Sequence, residues 1–261
     1  MKNSMTKLIT LSLATLTATA LVACSAAPPV EDEEPGASGE SLETEPAEAE
    51  AEPVEAEEHH GEHHGEHRGH HDHRFDDPER YAERWNDPAR DEWQNPRAVV
   101  EAMEIEPGMT VADLGAGTGY FIPYLSEAVG PEGTVLAVDI EEAMLGYIEG
   151  QATEYGWENV ETVQARADDS GLPEGAVDRI LTVNTWHHIP NRPSYSAHLL
   201  ERLTDQGSVW VVDYHVDSPA GPPPEHRLAP EEVIEELEAG GFDAELHPLE
   251  LPRQFLVVGR P

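Results

Sequence analysis

The stretch Val111-Ala112-Asp113-Leu114-Gly115-Ala116-Gly117-Thr118-Gly119-Tyr120 decides the fold. An apolar strand runs into a glycine-rich turn and then into a helical pattern. A second strand, Thr134-Val135-Leu136-Ala137-Val138-Asp139, ends on an acid about twenty residues further on. Lacking a Cβ, the glycines let the backbone bend tightly and come close to a ligand. An acid at the tip of the second strand can accept hydrogen bonds from both hydroxyls of a ribose, as in nucleotide-binding βαβ units. The turn alone is a weak signal. Strand, turn, helix and acid together are a strong one.

Working outward, apolar runs predict further strands at 160–165, 177–183 and 208–213, separated by helical patterns at 120–128, 141–153 and 193–203. Upstream, 96–104 is amphipathic, with Val99, Val100 and Met103 on one face, and aromatics fall at helical spacing within 77–85 and 90–94. Downstream, 230–239 is the last helix, and 242–246 and 255–259 are two closing strands. Strands alternating with helices specify a parallel sheet covered on both faces, with a ligand at the carboxyl ends of the strands. The last two strands follow each other without a helix, which predicts an antiparallel pair at one edge.

Asp113-x-Gly115-x-Gly117-x-Gly119 resembles the first motif of class I S-adenosylmethionine (SAM)-dependent methyltransferases, and Asp139 resembles their ribose-binding acid. The spacing departs from Gly-x-Gly-x-x-Gly, which argues against NAD. The resemblance runs from Arg90 to Pro261 and is specific for the cofactor. It implies an α/β fold: a Rossmann-like, seven-stranded, mostly parallel sheet with helices on both faces and one antiparallel edge strand. It implies SAM as cofactor, with Gly115, Gly117 and Gly119 passing beneath the methionine part and Asp113 holding the ammonium. Asp139 would take the ribose hydroxyls and Ile140 would pack on the adenine. The family often carries an acid after the third strand that accepts from the adenine amino group. Asp168 fills that place, with Asp169 beside it as the competitor.

The fourth predicted strand ends in Asn184-Thr185-Trp186-His187-His188-Ile189-Pro190, where the family's fourth motif faces the transferring methyl. The stretch does not read Asn-Pro-Pro-Tyr, so amino methylation of a DNA base gains no support. It resembles a group of small-molecule methyltransferases with aromatic-His-His at this point. A neutral imidazole of His187 or His188 can remove the proton that an acceptor oxygen or nitrogen loses on attack. Structural hydrogen bonding and metal ligation compete with that role, and positioning contributes to methyl transfer at least as much as a base. Trp93, Gln94, Tyr120 and Trp186 are candidates for pocket wall or for core. His215 and the pair His226-Arg227 are candidates for a lid or for surface loop.

The 261 residues allow one ordinary domain with extensions. Lys2 and Lys7 flank the start of an apolar run at 8–22, and Leu21-Val22-Ala23-Cys24 resembles a bacterial lipobox. Residues 1–23 are thus expected to be a lipoprotein signal peptide, with lipid on Cys24. As the only cysteine, Cys24 rules out an intrachain disulfide and a cysteine metal cluster, and it disfavours arsenic methylation. Residues 24–58 are expected to be an acidic disordered tether, since 25–58 holds thirteen acids and no base. Residues 59–74 form a His-rich low-complexity segment in which His59, His60, His63, His64, His67, His70, His71 and His73 supply eight of the fourteen histidines. Such a tract can wrap several imidazoles around Zn, Ni or Cu. The competing reading is a plain linker that gains charge below about pH 6.5. A formal net charge of −38, with no lysine after Lys7, argues against nucleic acid as a partner.

The methyltransferase domain is therefore expected at 75–261, acting on a small-molecule acceptor and lipid-anchored in the cell envelope. The alternative is a catalytically inactive methyltransferase-fold lipoprotein that binds a ligand and captures metal through the histidine tract. The two strongest signals pull apart, because SAM is made in the cytosol and a lipobox directs export.

Overall fold

The computed structural model describes residues 77–261. The expected signal peptide, lipidated Cys24, acidic tether and histidine tract lie outside the described residues. Within them, the strands are β1 (Thr110–Leu114), β2 (Thr134–Asp139), β3 (Val160–Gln164), β4 (Val177–Val183), β5 (Leu203–Tyr214), β6 (Asp243–Leu246) and β7 (Gln254–Arg260). They form a seven-stranded sheet in the order β3-β2-β1-β4-β5-β7-β6. Pairing is parallel from β3 to β5, while β7 runs antiparallel to both β5 and β6 and closes that side of the sheet. The direct turn between β6 and β7 leaves no room for a crossover helix, so the pair must be antiparallel.

Helices are α1 (Pro78–Trp85), α2 (Asp91–Gln94), α3 (Pro96–Ala102), α4 (Ile122–Val129), α5 (Glu142–Tyr155), α6 (Arg192–Arg202) and α7 (Pro230–Ala239). The central strands are buried on both faces, and their alternate residues feed two separate cores, while β3 and β6 at the edges are more exposed. Ala112, Leu114, Leu136 and Val138 meet Leu199 of α6 and Val233 and Leu237 of α7. Val111, Val135 and Ala137 meet Val99 of α3, Ile122 and Leu125 of α4 and Ile148 of α5. Each fully buried aliphatic side chain of this kind contributes about 1.5–3 kcal/mol.

Two departures from the sequence pattern have local causes. Strand β5 begins at Leu203 rather than 208, because Leu203 pairs with Val177 across an irregularity in the β4–β5 register. Between α2 and α3 the chain breaks at Asn95, which takes a left-handed φ of 45°. The following Pro96 disfavours helical geometry in the residue before it and starts α3 at its first position, where the missing N–H costs nothing.

Strand order matters for function. Successive strands leave β1 in opposite directions, to β2 on one side and to β4 on the other, and this reversal opens a crevice above their carboxyl ends. The glycine turn, the β2 acid and the Asn184–Pro190 segment all emerge there.

Candidate functional site

A cleft of about 820 Å³ lies over that reversal, within the size range of small-molecule sites. Its floor is the glycine turn. Gly115, Gly117 and Gly119 have φ of 79°, 54° and 80°, a left-handed region in which L side chains are strained. Gly115 and Ala116 both donate their N–H to Val138 O, at 2.8 and 3.0 Å, which fixes the turn against β2. A Cβ on Gly115 would lie 2.3 Å from Thr185 Oγ1, so here the β4 loop touches bare backbone.

Asp139, at the tip of β2, lines the cleft and is 8% exposed. Its Oδ2 accepts from Gly117 N at 2.8 Å and its Oδ1 from Glu141 N at 2.9 Å. The carboxylate is locked in place by two backbone donors, yet each oxygen keeps a further lone pair for the cleft. Burial pushes Asp139 above the usual carboxylate range, against the backbone N–H groups that hold it down. Ile140 follows it into the cleft wall, 53% exposed despite being large and apolar. Asp113 also lines the cleft, and burial, reinforced by the nearby Asp139 charge and opposed by Arg90, raises it to about 7.

The roof comes from the N-terminal segment. Asn86 donates to Thr118 O at 3.1 Å and accepts from Thr118 Oγ1 at 2.7 Å. Trp85 packs close enough that a Cβ on Gly117 would meet its ring at 3.3 Å. The Tyr120 hydroxyl donates to Asp91, and the Arg90 guanidinium sits 4.1 Å over the Tyr120 ring. From Arg90 a chain of hydrogen bonds runs through the protein. Gln94 Oε1 accepts from Arg90 Nη2 at 3.1 Å, Gln94 Nε2 donates to Gln254 Oε1 at 2.5 Å, and Gln254 Nε2 donates to Asn184 Oδ1 at 2.6 Å. A guanidinium can only donate, so the direction of every amide in this chain follows from Arg90, and Asn184 keeps its N–H donors for the cleft it lines.

At the opposite wall, His187 follows β4 and Asp213 lies near the end of β5. His187 Nδ1 is 2.8 Å from Asp213 Oδ2 and 3.0 Å from Oδ1, with side-chain exposures of 4% and 1%. Asp213 Oδ1 also accepts from Tyr214 N at 2.8 Å. A carboxylate at Nδ1 selects the tautomer with the proton there, leaving Nε2 as the basic nitrogen in a residue that lines the cleft. His188 lines the cleft as well and packs against His187 with ring centroids 4.1 Å apart and planes tilted by 46°.

The structure brings Asp113, Gly115, Gly117, Asp139, Ile140, His187 and His188 to one cleft, with Gly119 completing the turn beneath it. Asp168 is not in the lining. Arg166 and Asp169 exchange backbone hydrogen bonds of 2.8 and 3.2 Å, so 167–168 is a two-residue tip that presents Ala167 to the cleft and leaves Asp168 exposed. Trp93 and Tyr120 are walls, whereas Trp186 and Gln94 are fully buried core. Trp186 Nε1 donates to Glu236 at 2.9 Å, and Gln94 serves the amide chain. His215, His226 and Arg227 stay off the lining. Ala220, Gly221 and Pro222 cover that side instead, pinned by Arg227, which donates to Pro222 O, Val216 O and Ser218 O. Among the described residues no group of three His, Cys, Asp or Glu side chains is arranged for a metal.

Sequence reasoning missed Arg90, Asp213, Asn184 and Gln254. Asp213 and Asn184 were within reach, since each stands at a strand's carboxyl end, where ligands bind in such sheets. Nothing in the sequence ties Gln254 to Gln94, 160 positions away.

Comparison with known proteins agrees with this geometry. A family model described as "Methyltransferase domain" matches residues 111–214. A SAM-dependent methyltransferase from Aquifex aeolicus superposes with a TM-score of 0.65 at 30% identity, covering 70% of this chain and 97% of that one. Nocamycin O-methyltransferase of Saccharothrix syringae is 27% identical over 116 residues, 44% of this chain and 41% of the relative. Demethylmenaquinone methyltransferase of Geobacillus stearothermophilus is 31% identical over 115 residues, 43% and 48% respectively. The chain thus spans less than half the length of these curated relatives. With the sheet order, the glycine turn and a solved relative matched over almost its whole length, the chain belongs to the SAM-dependent methyltransferase family.

Proposed function

We propose that this chain transfers the methyl group of SAM to an oxygen or nitrogen of a small-molecule acceptor, with His187 receiving the acceptor's proton. The observation that carries the proposal is the His187–Asp213 pair, a buried imidazole held by a carboxylate in the cleft wall. A carrier without turnover has no need of an oriented base. Relatives named as a nocamycin O-methyltransferase and a demethylmenaquinone methyltransferase support a small-molecule acceptor.

The cleft fits SAM on its own chemistry. A methionine zwitterion brings both signs, and the cleft offers Asp113 for the ammonium and Arg90 for the carboxylate, close enough for each to shift the other electrostatically. A ribose diol suits the two free lone pairs of Asp139, and the exposed Ile140 suits an adenine face. The bare glycine turn lets the cofactor lie on backbone. When bound, SAM supplies an electrophilic methyl on a sulfonium.

The residues then have three tasks. The roof of Trp85, Arg90 and Tyr120 excludes water. Asn184, oriented by the amide chain, donates to an oxygen of the acceptor. His187 Nε2 would take the proton that the acceptor's O–H or N–H gives up on methylation. Asp213 stabilises the imidazolium that results. The proposal also places the chain at a membrane face through lipid on Cys24, and lets the histidine tract hold a metal independently of the cleft.

Methyl transfer from labelled SAM to fractionated small-molecule extracts tests the function. Label in a small-molecule product, lost in His187→Gln, is the expected result. Label confined to macromolecules, or turnover unaffected by His187→Gln, contradicts it.

A further inference from the structure

Arginine is unevenly spent in this acidic chain. Elsewhere in the described residues four guanidiniums are paired with carboxylates: Arg97 with Glu127, Arg192 with Glu236, Arg202 with Glu174 and Glu201, and Arg260 with Glu245. Four arginines, Arg84, Arg90, Arg166 and Arg253, line the cleft, and all but Arg166 act together on the Tyr214 phenol. Among the described residues neither Arg84 nor Arg253 has a carboxylate within ion-pair distance, although Asp87 and Glu92 share the cleft wall. The same corner holds a flat aromatic platform. Trp93 stacks on Tyr214 with ring centroids 6.0 Å apart, and Arg253 lies 5.0 Å over the Trp93 ring.

A guanidinium favours a planar anion, and stacking one on an aromatic, as the partly buried Arg253 does on Trp93, leaves its N–H edges free to meet one, with the exposed Arg84 on the same cleft lining. One such anion, the cofactor's carboxylate, is accounted for by Arg90 beside Asp113. Two of the others lie next to the residue that follows Asp213 in β5. The geometry points to an acceptor that is itself an anion: a ring-bearing small molecule whose carboxylate or phosphate is held by Arg84 and Arg253, with its ring on Trp93 and Tyr214. This rests on the methyl-transfer proposal for calling the ligand an acceptor, while the anion subsite stands on its own residues.

The test titrates the full chain, saturated with S-adenosylhomocysteine, with benzoate, phenyl phosphate and neutral benzamide by calorimetry. Binding of benzoate or phenyl phosphate is expected, with benzamide at least about tenfold weaker, since a charge-assisted hydrogen bond is worth about 1.5–3 kcal/mol. The two anions separate a carboxylate from a phosphate preference, and either supports the subsite. Arg84→Gln and Arg253→Gln should each weaken the anion about tenfold while benzamide and S-adenosylhomocysteine bind as before, the latter showing that the variants fold. Equal binding of benzamide, no binding of any probe at millimolar concentration, or anion affinity unchanged in both variants overturns the inference. If S-adenosylhomocysteine itself fails to bind, the methyltransferase proposal falls, and the same titrations on the free protein still decide the anion subsite.

Discussion

Replacing Asp213 by Asn tests the proton path with a change of one atom. Asp213 Oδ1 accepts from Tyr214 N at 2.8 Å, a backbone donor that cannot move, while Oδ2 faces His187 Nδ1 at 2.8 Å. In the variant the amide oxygen must stay with Tyr214 N, because the opposite flip would set two donors against each other. The amide NH2 then faces His187 Nδ1, which has to accept. The proton of the neutral ring moves to Nε2, and the nitrogen proposed as base becomes a donor. General-base catalysis contributes about 10²–10⁴ in rate, so turnover should fall by about 3–5 kcal/mol in activation free energy. Stability should fall by only about 1–2 kcal/mol, because one hydrogen bond to a charged group is exchanged for a neutral one. Two assays read this. NMR of 15N-labelled histidine reports the tautomer without needing an acceptor, and labelled-SAM turnover reports the rate. An Nδ1–H tautomer surviving in Asp213→Asn, or a rate within about twofold of the parent, would refute the reasoning.

Other consequences can be checked separately. Gly115→Ala places a Cβ 2.3 Å from Thr185 Oγ1 at a φ of +79°, so backbone strain and overpacking together should cost about 2–5 kcal/mol by denaturant titration. Adding Thr185→Ala removes Oγ1 and Cγ2 but leaves a Cβ 2.8 Å away, so it should recover only part of the overpacking, and a fully stable single variant would contradict the close contact. Asp113 has a folded value of about 7 against 3.8 unfolded, so its protonated form stabilises the ligand-free protein at low pH and that contribution is lost as pH rises towards 7. An ammonium needs the carboxylate, so SAM affinity should rise by up to about tenfold per pH unit below that value, and calorimetry across pH should find the dependence absent in Asp113→Asn. The proposed lipidation of Cys24 predicts that labelled fatty acid is incorporated in cells and lost in Cys24→Ser, and incorporation persisting in Cys24→Ser would contradict lipidation at that sulfur.

How far the sequence carries depends on the range of the physics. Strands β1, β2 and β4 match their predicted limits because each is built mainly of apolar and β-branched residues bounded by turn formers. The glycine turn and Asp139 were legible for the same reason, since backbone geometry and strand position act locally. What the sequence leaves open turns mostly on distant residues, with Asp168 the local exception. Trp186 has the look of a pocket aromatic until Glu236, fifty positions on, takes its N–H into the core. Asp168 follows the family pattern, but a two-residue turn leaves it exposed beside the cleft wall. His187 was one of two equivalent imidazoles in sequence, and only Asp213, 26 positions away, separates them. Such pairings come from sheet order, which apolar periodicity does not encode.

Calorimetric titration of the full chain with SAM, paired with Asp139→Asn, tests the central claim most directly. The amide variant keeps the side chain's shape, but its single oxygen can accept from only one of Gly117 N and Glu141 N, so it loosens the turn as well as removing the charge that a ribose diol would share. Affinity near micromolar, about −8 kcal/mol, is expected for the parent, and the loss of two charge-assisted hydrogen bonds should weaken it by at least about tenfold. No binding of SAM to the parent, or equal affinity in Asp139→Asn, would contradict it.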